Sequence, residues 1–150
     1  MNNDVILGKY FSLFNEIGII EQLSRAFLEV QLPKGIIAPH FAVLNHLMRV
    51  NDGQTPLFLA TAFQVPKTTM THTLSGLSKH GLIEMRPNPK DARSKQVWLT
   101  EAGQELRNKT IAALGPYLQQ VAEQVSTDEL DTIVPILQKL REYMDEARNP

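Results

Sequence analysis

Pro66-Lys-Thr-Thr-Met-Thr-His-Thr-Leu-Ser-Gly-Leu-Ser-Lys-His-Gly81 runs directly into Leu82-Ile-Glu-Met-Arg-Pro-Asn-Pro-Lys-Asp-Ala-Arg-Ser-Lys-Gln-Val-Trp-Leu-Thr-Glu-Ala-Gly103. This stretch decides the fold. The spacing of Met70, Leu74 and Leu77 predicts a helix over 67–80 with one buried face, ended by Gly81 in a left-handed conformation. Leu82–Met85 and Gln96–Leu99 read as short strands around a proline-rich, charged turn, hence a hairpin. Thr100 is a cap for the helix that follows.

Outward from that stretch, Val5 to Val30 repeats apolar residues at helical spacing (Ile6, Tyr10, Phe14, Ile17, Leu23, Phe27), and Leu7, Phe11 and Leu13 widen its apolar face. A terminal helix that is apolar around most of its circumference calls for a partner chain. Leu32-Pro-Lys-Gly35 interrupts the pattern, and a second helix is expected over Pro39–Val50 with Phe41, Leu44, Leu47 and Met48 inward. Asn51-Asp-Gly53 is a turn signal. Thr55-Pro56 opens a short helix through Phe63, and Gln64-Val-Pro66 links it tightly to the next. The fifth helix is expected to run from Thr100 towards Val125, with a kink or break at Gly115-Pro116. Ser126-Thr-Asp-Glu129 is a capping box opening the last helix, whose regularity Pro135 threatens.

The 150 residues suit one domain with a real core, and 43% hydrophobic with 21% charged residues is ordinary globular composition. No apolar run is long enough to span a bilayer and the start carries no signal-peptide order, so a cytoplasmic protein with no membrane partner is expected. The absence of cysteine excludes disulfides, thiolate nucleophiles and cysteine redox sensing. The net charge of −1 hides an uneven distribution. Residues 66–100 hold six basic and two acidic side chains, whereas 101–150 hold five basic and nine acidic. One basic region therefore lies in an otherwise acidic chain; charge alone favours a solvated surface, and it is the order of the motifs that points to a nucleic-acid binder.

Two short helices with a tight link, the second carrying short polar side chains on its outer face, make a helix-turn-helix whose second helix can enter a major groove. Lys67, Thr68, Thr69, Thr71, His72, Ser75 and Lys79 supply donors and acceptors there. The bland alternative is a solvated polar helix, against which threonine speaks mildly, being a poor helix former. On the hairpin, Lys90, Asp91, Arg93 and Lys95 cluster at the tip. Asp91 can orient the Arg93 guanidinium, and an arginine on a projecting hairpin suits a minor groove. The alternative is an exposed ion pair of little energetic worth.

These residues resemble the multiple antibiotic resistance regulator (MarR) family of bacterial winged helix-turn-helix transcription factors. The resemblance is carried by Leu59-Ala60, Thr71, Leu77-Ser-Lys-His-Gly-Leu82, Asp91-Ala-Arg93 and Leu99-Thr-Glu-Ala-Gly103. It implies a mainly α fold with a small β-hairpin wing: a winged helix-turn-helix core over 36–100, flanked by dimerisation helices over 1–32 and 101–147 within a single domain 1–150. It further implies a homodimer that binds double-stranded DNA at a palindromic promoter site, most simply as a repressor released by a small-molecule effector. A small, largely apolar or aromatic acid is the expected effector, held near Phe14, His40, Phe41 and Leu44. His72 stands where the family often has arginine, Gly76 replaces a larger residue, and Asp-Ala-Arg lacks a second wing arginine; each thins the direct contacts.

His40, His46, His72 and His80 are dispersed without paired metal-ligand spacing, so neither a metal nor any other cofactor is expected. His40 reads as a surface or capping histidine and Trp98 as wing-strand core. The rival function is a winged-helix protein-interaction module without DNA reading. An enzyme is more remote, since no Ser/His/Asp grouping, phosphate loop or paired-carboxylate cleft is recognisable.

Overall fold

The computed structural model describes residues 2–148. Its elements run α1 (Asn3–Val30), α2 (Ala38–Arg49), α3 (Pro56–Ala62), α4 (Lys67–Lys79), β1 (Ile83–Asn88), β2 (Asp91–Leu99), α5 (Glu101–Ala113), α6 (Gly115–Ala122) and α7 (Thr127–Arg148). Two compact units divide the chain, one ending at Ala113 and the other beginning at Leu114. Among the described residues no helix is long and apolar enough to cross a membrane.

In the first unit the core lies between α2, α3, α4 and the hairpin. Val43, Leu44 and Leu47 of α2 meet Leu59 and Ala60 of α3, Met70, Leu74 and Leu77 of α4, and Ile83, Val97 and Leu99 of the sheet. Helix α2 presents Val43 inward where the sequence suggested Met48, which is left 37% exposed, while Phe41 is half-buried. Residues 40, 43, 44 and 47 form the α2 stripe, so position 48 falls a turn-fraction off it.

Local chemistry sets the helix ends. Thr55 accepts the Phe58 N–H at 3.1 Å with Pro56 at the first turn of α3. Gln64 adopts φ 56° in the α3–α4 link, a left-handed conformation that stops α3 and turns the chain into α4. Gly81 does the same after α4 with φ 68°.

The strands extend further towards the tip than the sequence suggested. β1 and β2 pair antiparallel from Ile83↔Leu99 to Pro87↔Lys95, and then Asn88 pairs with Asp91. Ala92, Arg93 and Ser94 therefore bulge out of the ladder. Pro87 is tolerated because a two-stranded sheet is all edge. The sheet is fastened to the helices through the α2–α3 connection. Gly53 N–H donates to Val97 O at 3.0 Å and Val97 N–H to Gln54 O at 2.8 Å, while Asp52 Oδ1 accepts the Leu99 N–H at 3.0 Å.

Helix α5 is seated by the Leu99-Thr-Glu-Ala-Gly103 motif. Thr100 donates its hydroxyl to Gly81 O at 2.7 Å and accepts the Gly103 N–H at 3.1 Å. Gly103 packs so close to the preceding turn that a Cβ there would lie 2.1 Å from the Leu82 carbonyl oxygen. Further along, Arg107 donates to Asn45 Oδ1 of α2 at 3.0 and 3.1 Å. Helix α1 buries none of its residues; Tyr10 is 63% and Phe11 70% exposed.

The expected interruption at Gly115-Pro116 is a break. Pro116 cannot continue the hydrogen-bond ladder, so α5 stops at Ala113 and α6 restarts at Gly115. In the second unit the capping box forms: Glu129 N–H donates to Ser126 Oγ and Ser126 N–H to Glu129 Oε1, both at 3.1 Å. Helix α7 continues through Pro135, which costs one hydrogen bond to the Asp131 carbonyl without ending the helix. Leu130, Ile133 and Val134 stay more than 40% exposed along it.

Gly103→Ala should destabilise the protein even though alanine is the better helix former. Overlap with a backbone carbonyl outweighs a propensity gain of about 1 kcal/mol, so urea unfolding should show a net loss of roughly 2 kcal/mol.

Candidate nucleic-acid interface

Burial of one edge of α4 determines what the other edge offers. Met70, Thr73, Leu74 and Leu77 face the core. Lys67, Thr68, Thr69, Thr71, His72, Ser75 and Lys79 are all exposed, so the structure brings these seven sequence-predicted residues onto one helix surface. Thr71 donates its hydroxyl to Lys67 O at 2.9 Å, which fixes the rotamer and leaves the oxygen lone pairs as acceptors. The threonines present compact groups close to the helix axis, as close approach to base edges requires.

The hairpin carries the second cluster. Lys90, Asp91, Arg93 and Lys95 are exposed, with the Arg93 side chain 93% so. Asn88 closes the tip, its Oδ1 accepting the Lys90 N–H at 3.0 Å and its Nδ2 donating to Ser94 Oγ at 2.9 Å. Asp91 Oδ1 accepts both the Arg93 N–H at 3.0 Å and, weakly, Arg93 Nε at 3.5 Å. The carboxylate thus orders the bulge backbone more than it neutralises the guanidinium. Among the described residues, Lys67, Lys79, Lys90 and Lys95 take part in no ion pair. Four uncommitted ammonium groups and an outstretched guanidinium are available to phosphate.

Two features had no signal strong enough to be read from sequence. Arg86 on β1 lies over the Trp98 ring, 4.9 Å from its centroid, and pairs with Glu84. The Trp98 indole lies against Gly53, where a Cβ would meet ring carbons at 2.5 Å. Trp98 is half-buried, with Val97 and Leu99 contributing the fully buried part of the strand. A cleft of about 370 Å³ also opens beside α4, lined by Pro56, Thr71, Leu74, Ser75, Ser78, Lys79 and Met85.

The four residues expected around an effector are placed as follows. Phe14 is 43% exposed on α1, Phe41 is half-buried on α2, and Leu44 is fully buried in the core. His40 is no surface residue: it is 9% exposed, and its Nδ1 accepts the Ile37 N–H at 3.0 Å, so it caps the start of α2 from within. Burial holds the His40 imidazole below the usual histidine range, with nearby His80 and His72 adding to the effect. Among the described residues there is no group of His, Asp and Glu arranged to hold a metal.

The model of the MarR family matches residues 34–94, the span from the turn before α2 to the wing bulge. A mutant MarR from E. coli solved in complex with operator DNA is 28% identical, with a TM-score of 0.71 over 88% of this chain and 95% of that one. Both matches liken this chain to the MarR family. Another structure of MarR superposes with a TM-score of 0.81 at 24% identity, covering 91% of this chain and 93% of that one. The transcriptional regulator PcaV from Streptomyces coelicolor, solved with its natural ligand, matches with a TM-score of 0.66 at 17% identity over 84% and 89%. The mainly α winged helix-turn-helix architecture is thus that of the MarR fold.

Within this wing, Asn88 holds the tip and does little for the core. Asn88→Ala should leave the melting temperature nearly unchanged while residues 88–94 exchange their amide protons faster. A local loss on the order of 1 kcal/mol is expected for two side-chain hydrogen bonds.

Proposed function

We propose that the chain is a sequence-specific DNA-binding transcriptional regulator that acts as a homodimer at a palindromic promoter site, repressing until a small molecule releases it. The observation that carries this reading is the pairing of an exposed polar α4 face with a wing that holds Arg93 93% exposed at its bulge. The 28% identical MarR from E. coli was crystallised on operator DNA, which supports the same task here.

In this reading α4 enters a major groove, with Thr69 and His72 at base edges and Thr68, Thr71 and Ser75 beside them. Lys67, Lys79, Lys90 and Lys95 bind phosphates and set register. Arg93, ordered by Asp91, enters the neighbouring minor groove, where narrow A·T-rich sequence concentrates negative potential. The exposed apolar residues of α1 and α7 are the surfaces that a second copy covers, and two-fold symmetry then spaces the half-sites by about one helical turn. An apolar or aromatic acid is the effector class we assign, near Phe14, His40 and Phe41. PcaV, whose fold is alike, was solved with a natural ligand.

Three measurements test the reading. Arg93→Ala should bind its operator more weakly by about 1–3 kcal/mol and lose preference for A·T-rich flanks; wild-type affinity in that variant would reduce the wing to scaffold. Lys90→Ala should weaken all duplexes alike and flatten the dependence of log K on log salt by about one unit. Native mass spectrometry at micromolar concentration should give twice the chain mass of 16.9 kDa, and a monomer would remove the dimer from the proposal.

A further inference from the structure

A glycine in the interior of a helix costs roughly 1 kcal/mol relative to alanine, so Gly76 in the middle of α4 calls for a reason. The reason is His40. A Cβ on Gly76 would lie 2.6 Å from His40 Nε2, closer than any carbon can sit. The imidazole cannot simply swing away, since it is 9% exposed and its Nδ1 is held by the Ile37 N–H at 3.0 Å. Accepting at Nδ1 places the proton of the neutral ring on Nε2, the atom turned towards Gly76. The imidazole is therefore a spacer of fixed height between the start of α2 and the back of α4.

The surroundings make that spacer sensitive to charge. From α1, Glu29 Oε1 accepts the Ala38 N–H at 3.1 Å, next to the Ile37 N–H that His40 accepts. From α4, His80 Nδ1 bonds Gly76 O at 2.9 Å, and His72 and His80 both act on His40. Protonated His40 has no lone pair for Ile37, and it places a cation at a helix N-terminus, where the backbone N–H groups already point.

We propose that His40 is a positioning residue for the DNA-reading helix: its neutral ring, lodged in the space left at Gly76, seats α4, and its protonation unseats α4 and weakens DNA binding. The inference rests on the reading of α4 as the DNA-contacting helix. Its pH window follows from the lowered pKa of His40. The native state favours the neutral ring, so the contribution is complete above the ordinary histidine pKa of about 6.5 and is lost as pH falls through the lower folded value. His72 is exposed on the outer face of α4.

The test uses the full chain and a duplex selected by the wild-type protein from random sequence. Between about pH 8 and about pH 5.5, wild-type affinity should fall on the order of tenfold, the size of one lost helix cap. His40→Gln keeps an acceptor for Ile37 without a titrating ring, and whatever its affinity at the higher pH, it should lose that fall. A fall that persists undiminished in His40→Gln overturns the proposal. At the higher pH, Gly76→Ala should lower both duplex affinity and melting temperature in the wild-type background, and should be harmless or stabilising beside His40→Ala. Equal effects of Gly76→Ala in the two backgrounds contradict the seating role. If no duplex is bound at any pH, the assignment of α4 to DNA fails, and the melting temperatures of the same variants still decide whether His40 seats α4.

Discussion

What the outer face of α4 can offer follows from the burial of its other edge. Met70, Leu74 and Leu77 are each at most 4% exposed, locked between α2, α3 and the hairpin. Turning α4 about its axis would expose those side chains, at a cost of about 1.5–3 kcal/mol each. The angular position of Thr69, His72 and Ser75 is thus fixed from behind by apolar packing. A reading surface needs that rigidity, because short side chains cannot make up for an error in the helix's placement.

The hairpin is coupled to the same core by different chemistry. Val97 and Leu99 bury their side chains while the backbone on either side is tied to Asp52, Gly53 and Gln54. Thr100 then joins the hairpin's end to the turn at Gly81 and to the start of α5. The base of the wing is therefore rigid. Its tip is held instead by the side chains of Asn88 and Asp91.

Much of this was legible in the sequence, for physical reasons. The alternation of apolar and polar residues on α4, the cap at Thr55, the left-handed Gly81 and the capping box at Ser126 all act within one helical turn, so local spacing reveals them. What escaped depends on contacts far apart in the chain. The Asp52–Leu99 bond spans 47 residues, and Trp98 finds its partner in Gly53. His40 read as a surface or capping residue; it does cap α2, but nothing near it in sequence announces that it is buried against Gly76. Pro135 threatened the regularity of the last helix, yet one missing hydrogen bond is a small loss within a helix running from Thr127 to Arg148. The strands outran expectation because backbone pairing past Pro87 needs no apolar pattern.

Helix α4 and the wing together are proposed to form the surface that meets DNA. Amide hydrogen exchange of the full chain, free and bound to a selected duplex, tests it most directly. Added protection is expected at residues 67–79 and 88–95, with the outer faces of α1 and α7 unchanged. Protection confined to other segments, or no change along α4 and the hairpin tip despite binding, would contradict it.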